Sequence, residues 1–164
     1  MTATVDRQEQ DSQQVEGRKG SPRKIGIPKE IYSNECRVAA TPNTVKKLQK
    51  WGFEILVESN AGSAANFTDR AYQEADCKII PDAASLWSEA DIILKVRAPE
   101  DSEIAVMPEG KTIISFIYPA QNEELLNKLA SRNATILAMD AVPRISRAQK
   151  MDALSSMANI AGYR

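Results

Sequence analysis

KIGIPKEIYSNECRVAATPNTVKKLQKWGFEILVES, from Lys24 to Ser59, decides the fold. Its ends, Lys24 to Pro28 and Glu54 to Ser59, are short Ile, Leu and Val runs with breakers or charges at their limits, the composition of strands covered on both faces. Between them, Val45, Leu48 and Trp51 or Gly52 recur at helical spacing; Thr41-Pro42 suits the cap and first turn, and Gly52 suits the stop. Strand, helix and strand in that order make a βαβ unit.

Downstream the alternation continues. A short helix is predicted around Asp69 to Glu74, a strand over Cys77 to Ile80, a helix around Ala83 to Glu89 and a strand over Asp91 to Val96. After a polar loop come a strand over Lys111 to Ile117, an amphipathic helix over Asn122 to Asn133 with Leu125, Leu126 and Leu129 inward, and a sixth strand over Ala134 to Met139. The expectation is a doubly wound, mostly parallel α/β sheet of the flavodoxin or Rossmann-like kind. Upstream, Met1 to Pro22 is rich in Gln, Ser, Gly and charge, has little to bury, and reads as a flexible tail.

Composition narrows the function. With 21 basic against 22 acidic residues the net charge is -1, which leaves no long-range field to hold nucleic acid or an anionic membrane. Histidine is absent, so a Ser-His-Asp or Cys-His mechanism cannot be assembled from this chain alone. Cys36 and Cys77 lie too far apart for a redox CxxC or a paired-cysteine zinc site, and no metal site is expected. No apolar run reaches the roughly 18 to 20 residues of a membrane span, and the N-terminus has no secretory h-region, which points to the cytosol.

Ligands of such sheets approach the carboxyl ends of the strands, so the loops there carry the candidate residues. In the first, Arg37 either clamps a substrate carboxylate or pairs with Glu30 or Glu35. In the second, Lys95 ends an apolar strand and points either into a site or out at the rim, with Arg97 just beyond it. The last loop, DAVPRISRAQKMDALSS, holds Asp140, Arg144, Arg147, Gln149 and Asp152. Arg144 and Asp152 either pair, leaving Gln149 to offer donor and acceptor to an amide, or Asp152 caps the helix starting at Ala153. The seven glycines are scattered, and neither GxGxxG nor GxxxxGK[ST] occurs, so a self-sufficient dinucleotide site is not encoded.

The Ile25 to Asp76 stretch, DIILKVRAP and above all VPRISRAQKMDALSSMANIAGYR closely resemble the N-terminal part of the alpha subunit of proton-translocating NAD(P) transhydrogenases, over about Lys24 to Arg164. That family shares its fold with alanine dehydrogenase. The resemblance implies hydride transfer from NADH, held by this subunit, to NADP+ held by a partner, coupled to proton movement through a membrane domain. It implies that Arg144 and Asp152 hold the dihydronicotinamide and its carboxamide, that Ser155 touches the same region, and that Gln149 reaches toward the partner's nucleotide.

The alanine dehydrogenase branch instead implies that Arg37 and Lys95 bind a substrate's carboxylate and carbonyl beside a histidine; here Tyr118-Pro119 stands in that neighbourhood. A third reading is a non-catalytic subunit-interaction module. In the family a glycine-rich NAD-binding domain follows. The chain therefore reads as a domain over residues 23–164 that stops short of it, inactive or nearly so alone. The terminal helix, with Leu154, Met157, Ala158 and Ala161 on one face, is expected to lack its partner, and Gly162 to serve as its C′ residue. The implied partners are that NAD-binding domain, an NADP-binding beta subunit, the membrane domain and a second alpha subunit. The implied location is the cytoplasmic face of the inner membrane.

Overall fold

In a computed structural model, which describes residues 21–163 apart from the side chains of Lys150 and Leu154, the expected alternation is realised as one six-stranded parallel sheet. The tail read over Met1 to Pro22 lies, up to residue 20, outside the described residues.

The elements run β1 (Lys24–Ile27), α1 (Pro42–Lys50), β2 (Glu54–Glu58), a 3-10 turn at Ser63–Ala65, α2 (Asp69–Gln73), β3 (Lys78–Ile80), α3 (Ala83–Glu89) and β4 (Ile92–Leu94). There follow α4 (Asp101–Val106), β5 (Thr112–Ser115), α5 (Glu123–Ser131), β6 (Thr135–Ala138), 3-10 turns at Met139–Ala141 and Gln149–Met151, and α6 (Ala153–Gly162). Strand order is β3-β2-β1-β4-β5-β6, so the chain starts in the middle, winds to one edge, then crosses back and winds to the other. Pairing is in register throughout, with Ile25 beside Ile55 and Ile92, and Ile113 beside Ile93 and Ile136.

Period-two alternation sends the side chains of these strands to two cores. Ile25, Ile27, Ile55 and Val57 pack with Val45 of α1 and Tyr72 of α2 on one face. Leu56, Ile93 and Ile113 pack with Leu86 and Trp87 of α3, Ile104 of α4 and Leu129 of α5 on the other. Helices on both faces explain why β2 reads Ile-Leu-Val without a polar residue between: all three are essentially fully buried. Tyr72 is deep in its core, where burial pushes the phenol up to about 12, and its hydroxyl donates to the Ala40 carbonyl at 2.8 Å.

Three expectations are corrected. The polar loop after β4 contains α4, whose six residues are too few to show a period; Glu100 and Glu103 close a reciprocal capping box at its start. The strands end earlier than their apolar runs, β4 at Leu94 rather than Val96 and β5 at Ser115 rather than Ile117, because the amides of Val96 and Ile117 go to the carboxylates of Glu30 and Asp140 instead of to a neighbouring strand. Gly162 is the last residue of α6 rather than the residue beyond it.

Where the ladders stop at the carboxyl edge, side-chain carboxylates take over the free amides. Glu58 accepts from Lys29 N at 2.8 Å, Asp69 from Asn60 N at 2.8 Å, and Glu30 from Val96 N at 2.6 Å and Arg97 N at 3.3 Å. Asp140 accepts from Ile117 N at 2.7 Å and Tyr118 N at 2.9 Å. Strand-end amides that no neighbour reaches need such partners, and a carboxylate is the strongest acceptor available.

Candidate functional site

The strand order reverses between β1 and β4, which places the topological crevice at their carboxyl ends. Two ionic clusters occupy it. Arg37 donates from Nε to Glu35 Oε1 at 2.7 Å and from Nη2 to Glu35 Oε2, while Arg97 Nε donates to the same Oε2 at 2.8 Å. Of the two readings of Arg37, pairing with Glu35 is the one the structure contains. The Arg37 guanidinium and, after it, the Arg97 hydrogen bond hold the Glu35 carboxyl at about 2 against the opposing effect of burial.

Beneath this pair, Lys95 points inward rather than out to the rim. Its ammonium lies 2.6 Å from Glu103 Oε1 and 3.5 Å from Glu30 Oε2, and all three side chains are 5 % exposed or less. Burial raises the Glu103 carboxyl above its ordinary range, and Lys95 offsets this only in part. The sequence reading missed Glu103, which stands in the polar loop expected after β4; its partnership with Lys95 joins residues on opposite sides of a turn.

Toward β5, a cleft of about 540 Å³ is lined by Tyr32, Arg97, Pro99, Phe116, Tyr118 and Asn122, among others. The Arg97 guanidinium carbon stands 4.8 Å from the Tyr32 ring centroid, and the Phe116 and Tyr118 rings stack with centroids 6.4 Å apart. Tyr118 has φ of +52°, in the left-handed region that costs a side-chain-bearing residue free energy unless neighbours hold it. They do: Asp140 takes the two amides there, and Asn122 Nδ2 donates to the carbonyls of Ile117 at 2.7 Å and Tyr118 at 3.3 Å.

The loop from Val142 to Asp152 stands on this edge. It is a chain of tight turns, Ile145 N to Pro143 O, Ala148 N to Ile145 O and Met151 N to Ala148 O, pinned by the buried Ala148. Arg144, Arg147 and Gln149 are exposed, as are Ile145 and Met151. Asp152 opens α6 as expected of a cap, accepting from Ser155 N at 3.2 Å and Ser155 Oγ at 2.6 Å. Of the expected apolar face of α6, Met157 is half-buried with its sulfur 3.0 Å from Arg37 Nη1, while Ala158 and Ala161 are exposed; the Leu154 side chain lies outside the description. Among the described residues no His, Cys, Asp and Glu group suits a metal ion, and no helix is long and apolar enough to cross a membrane.

These features define an open parallel α/β domain whose switch-point crevice is rich in paired ions and aromatic rings and has no glycine-rich phosphate turn. The alanine dehydrogenase/PNT N-terminal domain family matches residues 26–161, and the chain belongs to it. It is 55 % identical over 141 residues to the NAD(P) transhydrogenase subunit alpha of Cereibacter sphaeroides, covering 86 % of this chain but 27 % of that protein. A transhydrogenase structure from Sinorhizobium meliloti superposes with a TM-score of 0.81 at 42 % identity, covering 86 % of this chain and 42 % of that one. An L-alanine dehydrogenase structure gives 0.71 at 30 % identity over 76 % of this chain and 34 % of that one. The chain thus spans about a quarter of the transhydrogenase alpha subunit it matches.

Proposed function

We propose that this chain is the first part of an NAD(P) transhydrogenase alpha subunit, which presents a reduced nicotinamide to NADP+ held by a partner subunit in a reaction coupled to proton translocation. The observation that carries the reading is the loop from Val142 to Asp152, whose Arg144, Arg147 and Gln149 are exposed at the carboxyl edge of a parallel sheet in a chain with no histidine. Direct hydride transfer requires two rings aligned at contact distance and no protein acid or base, which suits a site furnished with positioning groups.

The residues fit the ring end of a dinucleotide and not its phosphate end. Arg144 offers a planar set of donors at the surface, Gln149 offers both donor and acceptor, and Asp152 with Ser155 presents oxygens at the start of α6. The pyrophosphate would be gripped by a glycine-rich turn in the alpha subunit's NAD-binding domain, outside this sequence. Bound NADH supplies the hydride and becomes NAD+, and NADP+ receives it. Arg144 and Asp152 orient the dihydronicotinamide and its carboxamide, Ser155 supports Asp152, and Gln149 faces the partner's nucleotide. A second alpha subunit, a beta subunit and a membrane domain complete the proposed assembly, at the cytoplasmic face of the inner membrane.

The amino-acid dehydrogenase alternative needs Arg37 and Lys95 as free cations and a group to manage a proton. Here Arg37 is tied to Glu35, Lys95 is buried between Glu30 and Glu103, and Tyr118 stands where that reading needs a histidine. A purely structural module is separated from the main reading by kinetics. In the complete alpha subunit assembled with its partners, Arg144→Ala and Asp152→Asn are each expected to slow transfer to NADP+ about 10- to 100-fold while NADH affinity changes less than about threefold. Asn caps a helix as well as Asp, so the Asp152→Asn effect reports lost charge rather than a lost α6. Equal losses in affinity and rate would remove the positioning role, and no loss at all would leave an interaction module.

A further inference from the structure

Asp140 is the one carboxylate of the strand-edge series that also stands at the root of the 142–152 loop. It sits in the 3-10 turn after β6, and both of its oxygens are committed across the sheet to the amides of Ile117 and Tyr118. Those amides lie beyond the last β5–β6 pair, Ser115 with Ala138, so the ladder cannot serve them. Asn122 holds the carbonyls of the same two residues, and the peptide at the left-handed Tyr118 is therefore gripped from both sides.

The same turn touches both ends of the loop's support. It packs against β5 on one side and against α6 on the other. From Asp140 the chain reaches Arg144 in four residues, with Pro143 stiffening the approach; at the far end Asp152 caps α6, which leans back on the turn. A rotation of residues 139–141 would therefore move Arg144, Asp152 and the Tyr118 wall of the cleft together.

We propose that Asp140 is a positioning residue for hydride transfer: its two-oxygen clasp on the Ile117 and Tyr118 amides sets where the Arg144-to-Asp152 loop stands relative to the crevice. This rests on the function proposed above. The lever is large, because a displacement of about 1 Å at a reacting pair costs on the order of 100-fold in rate.

The test uses the complete transhydrogenase complex carrying Asp140→Asn and, separately, Asp140→Glu, with Arg144→Ala in parallel. Asn replaces one acceptor by an NH2 that faces an amide N–H, which opens half of the clasp; Glu keeps both oxygens and displaces them by one methylene. The expected result for Asp140→Asn is a kcat lowered about tenfold or more with KM for NADH within about threefold of wild type. Hydrogen exchange of the peptide spanning residues 115–119 is expected to quicken at least tenfold, and Asp140→Glu is expected to fall between the two in both readouts. Should Asp140→Asn fail to assemble, Asp140→Glu carries the same comparison alone. Faster exchange at 115–119 with unchanged kcat in either variant overturns the proposal, as does a kcat loss matched by an equal loss of NADH affinity. If Arg144→Ala is silent as well, the function reading itself falls; if Arg144→Ala slows transfer while the Asp140 variants do not, only the positioning role does.

Discussion

Glu35 receives both guanidinium groups of the crevice on one carboxylate whose side chain is only 4 % exposed. Its folded value, about 2, lies below the roughly 4.3 of an unfolded glutamate. A lowered carboxyl stabilises the fold above the unfolded value and loses that contribution as pH falls through the folded one. Glu35→Gln is therefore expected to cost about 1–3 kcal/mol at pH 7, the range of charge-assisted hydrogen bonds. The gap to wild type should narrow between about pH 5 and pH 2. Urea unfolding of both proteins across that range checks it, and a gap that stays constant down to pH 2.5 would contradict the charge origin. Lys95 makes the opposite point. Nothing in its neighbours along the chain distinguishes a rim lysine from a buried one, because Glu103 reaches it only after α4 has folded over the turn.

At the scale of elements, the end of α3 packs closely over β1. A Cβ at Gly26 would stand 2.7 Å from Ala90 Cβ, 2.9 Å from Leu86 Cδ2 and 3.1 Å from Ile93 Cδ1, so the helix end rests directly on the central strand. Gly26→Ala is expected to destabilise by about 1–3 kcal/mol through overpacking, read as a lower denaturation midpoint at unchanged m-value. A neutral outcome would mean that α3 slides outward without cost. The effect should reach the site, since β1 and β4, which pair Gly26 with Ile93, lead on into Glu30 and Lys95. α3 was readable around Ala83 to Glu89, where the structure has it; Asp82, which the sequence reading did not single out, caps it by accepting from Ser85 N at 2.9 Å. α4 was not, because a six-residue helix carries less than two turns of pattern and its capping acids look like loop polarity.

For the whole molecule, the missing glycine-rich turn has a measurable consequence. On the proposed function the crevice positions a ring, while the sequence has no glycine-rich turn to cradle pyrophosphate, so this chain by itself is expected to bind NADH no tighter than about millimolar. Calorimetry returning a micromolar constant would show that the phosphate end is held by residues other than such a turn. Joined to an NAD-binding domain, the same loop should contribute mainly to rate, which is why the Arg144, Asp152 and Asp140 substitutions are read as kcat against affinity.

Short strands of Ile, Leu and Val alternating with capped amphipathic segments were sufficient to determine a doubly wound parallel sheet and to direct attention to its carboxyl edge, because hydrophobic period and helix caps are local properties of the chain. The absence of histidine and of a phosphate-binding turn was equally plain, since both are matters of composition and short motif. Only the tertiary structure decided which charges meet. Arg97 on the Glu35 that already pairs with its neighbour Arg37, Lys95 between Glu30 and Glu103, and Asp140 on the amides of Ile117 and Tyr118 are contacts across turns and between strands. A carboxylate has no local preference among partners that are distant in sequence, so that choice is settled by where the sheet ends each ladder and leaves an amide or a buried cation to be satisfied.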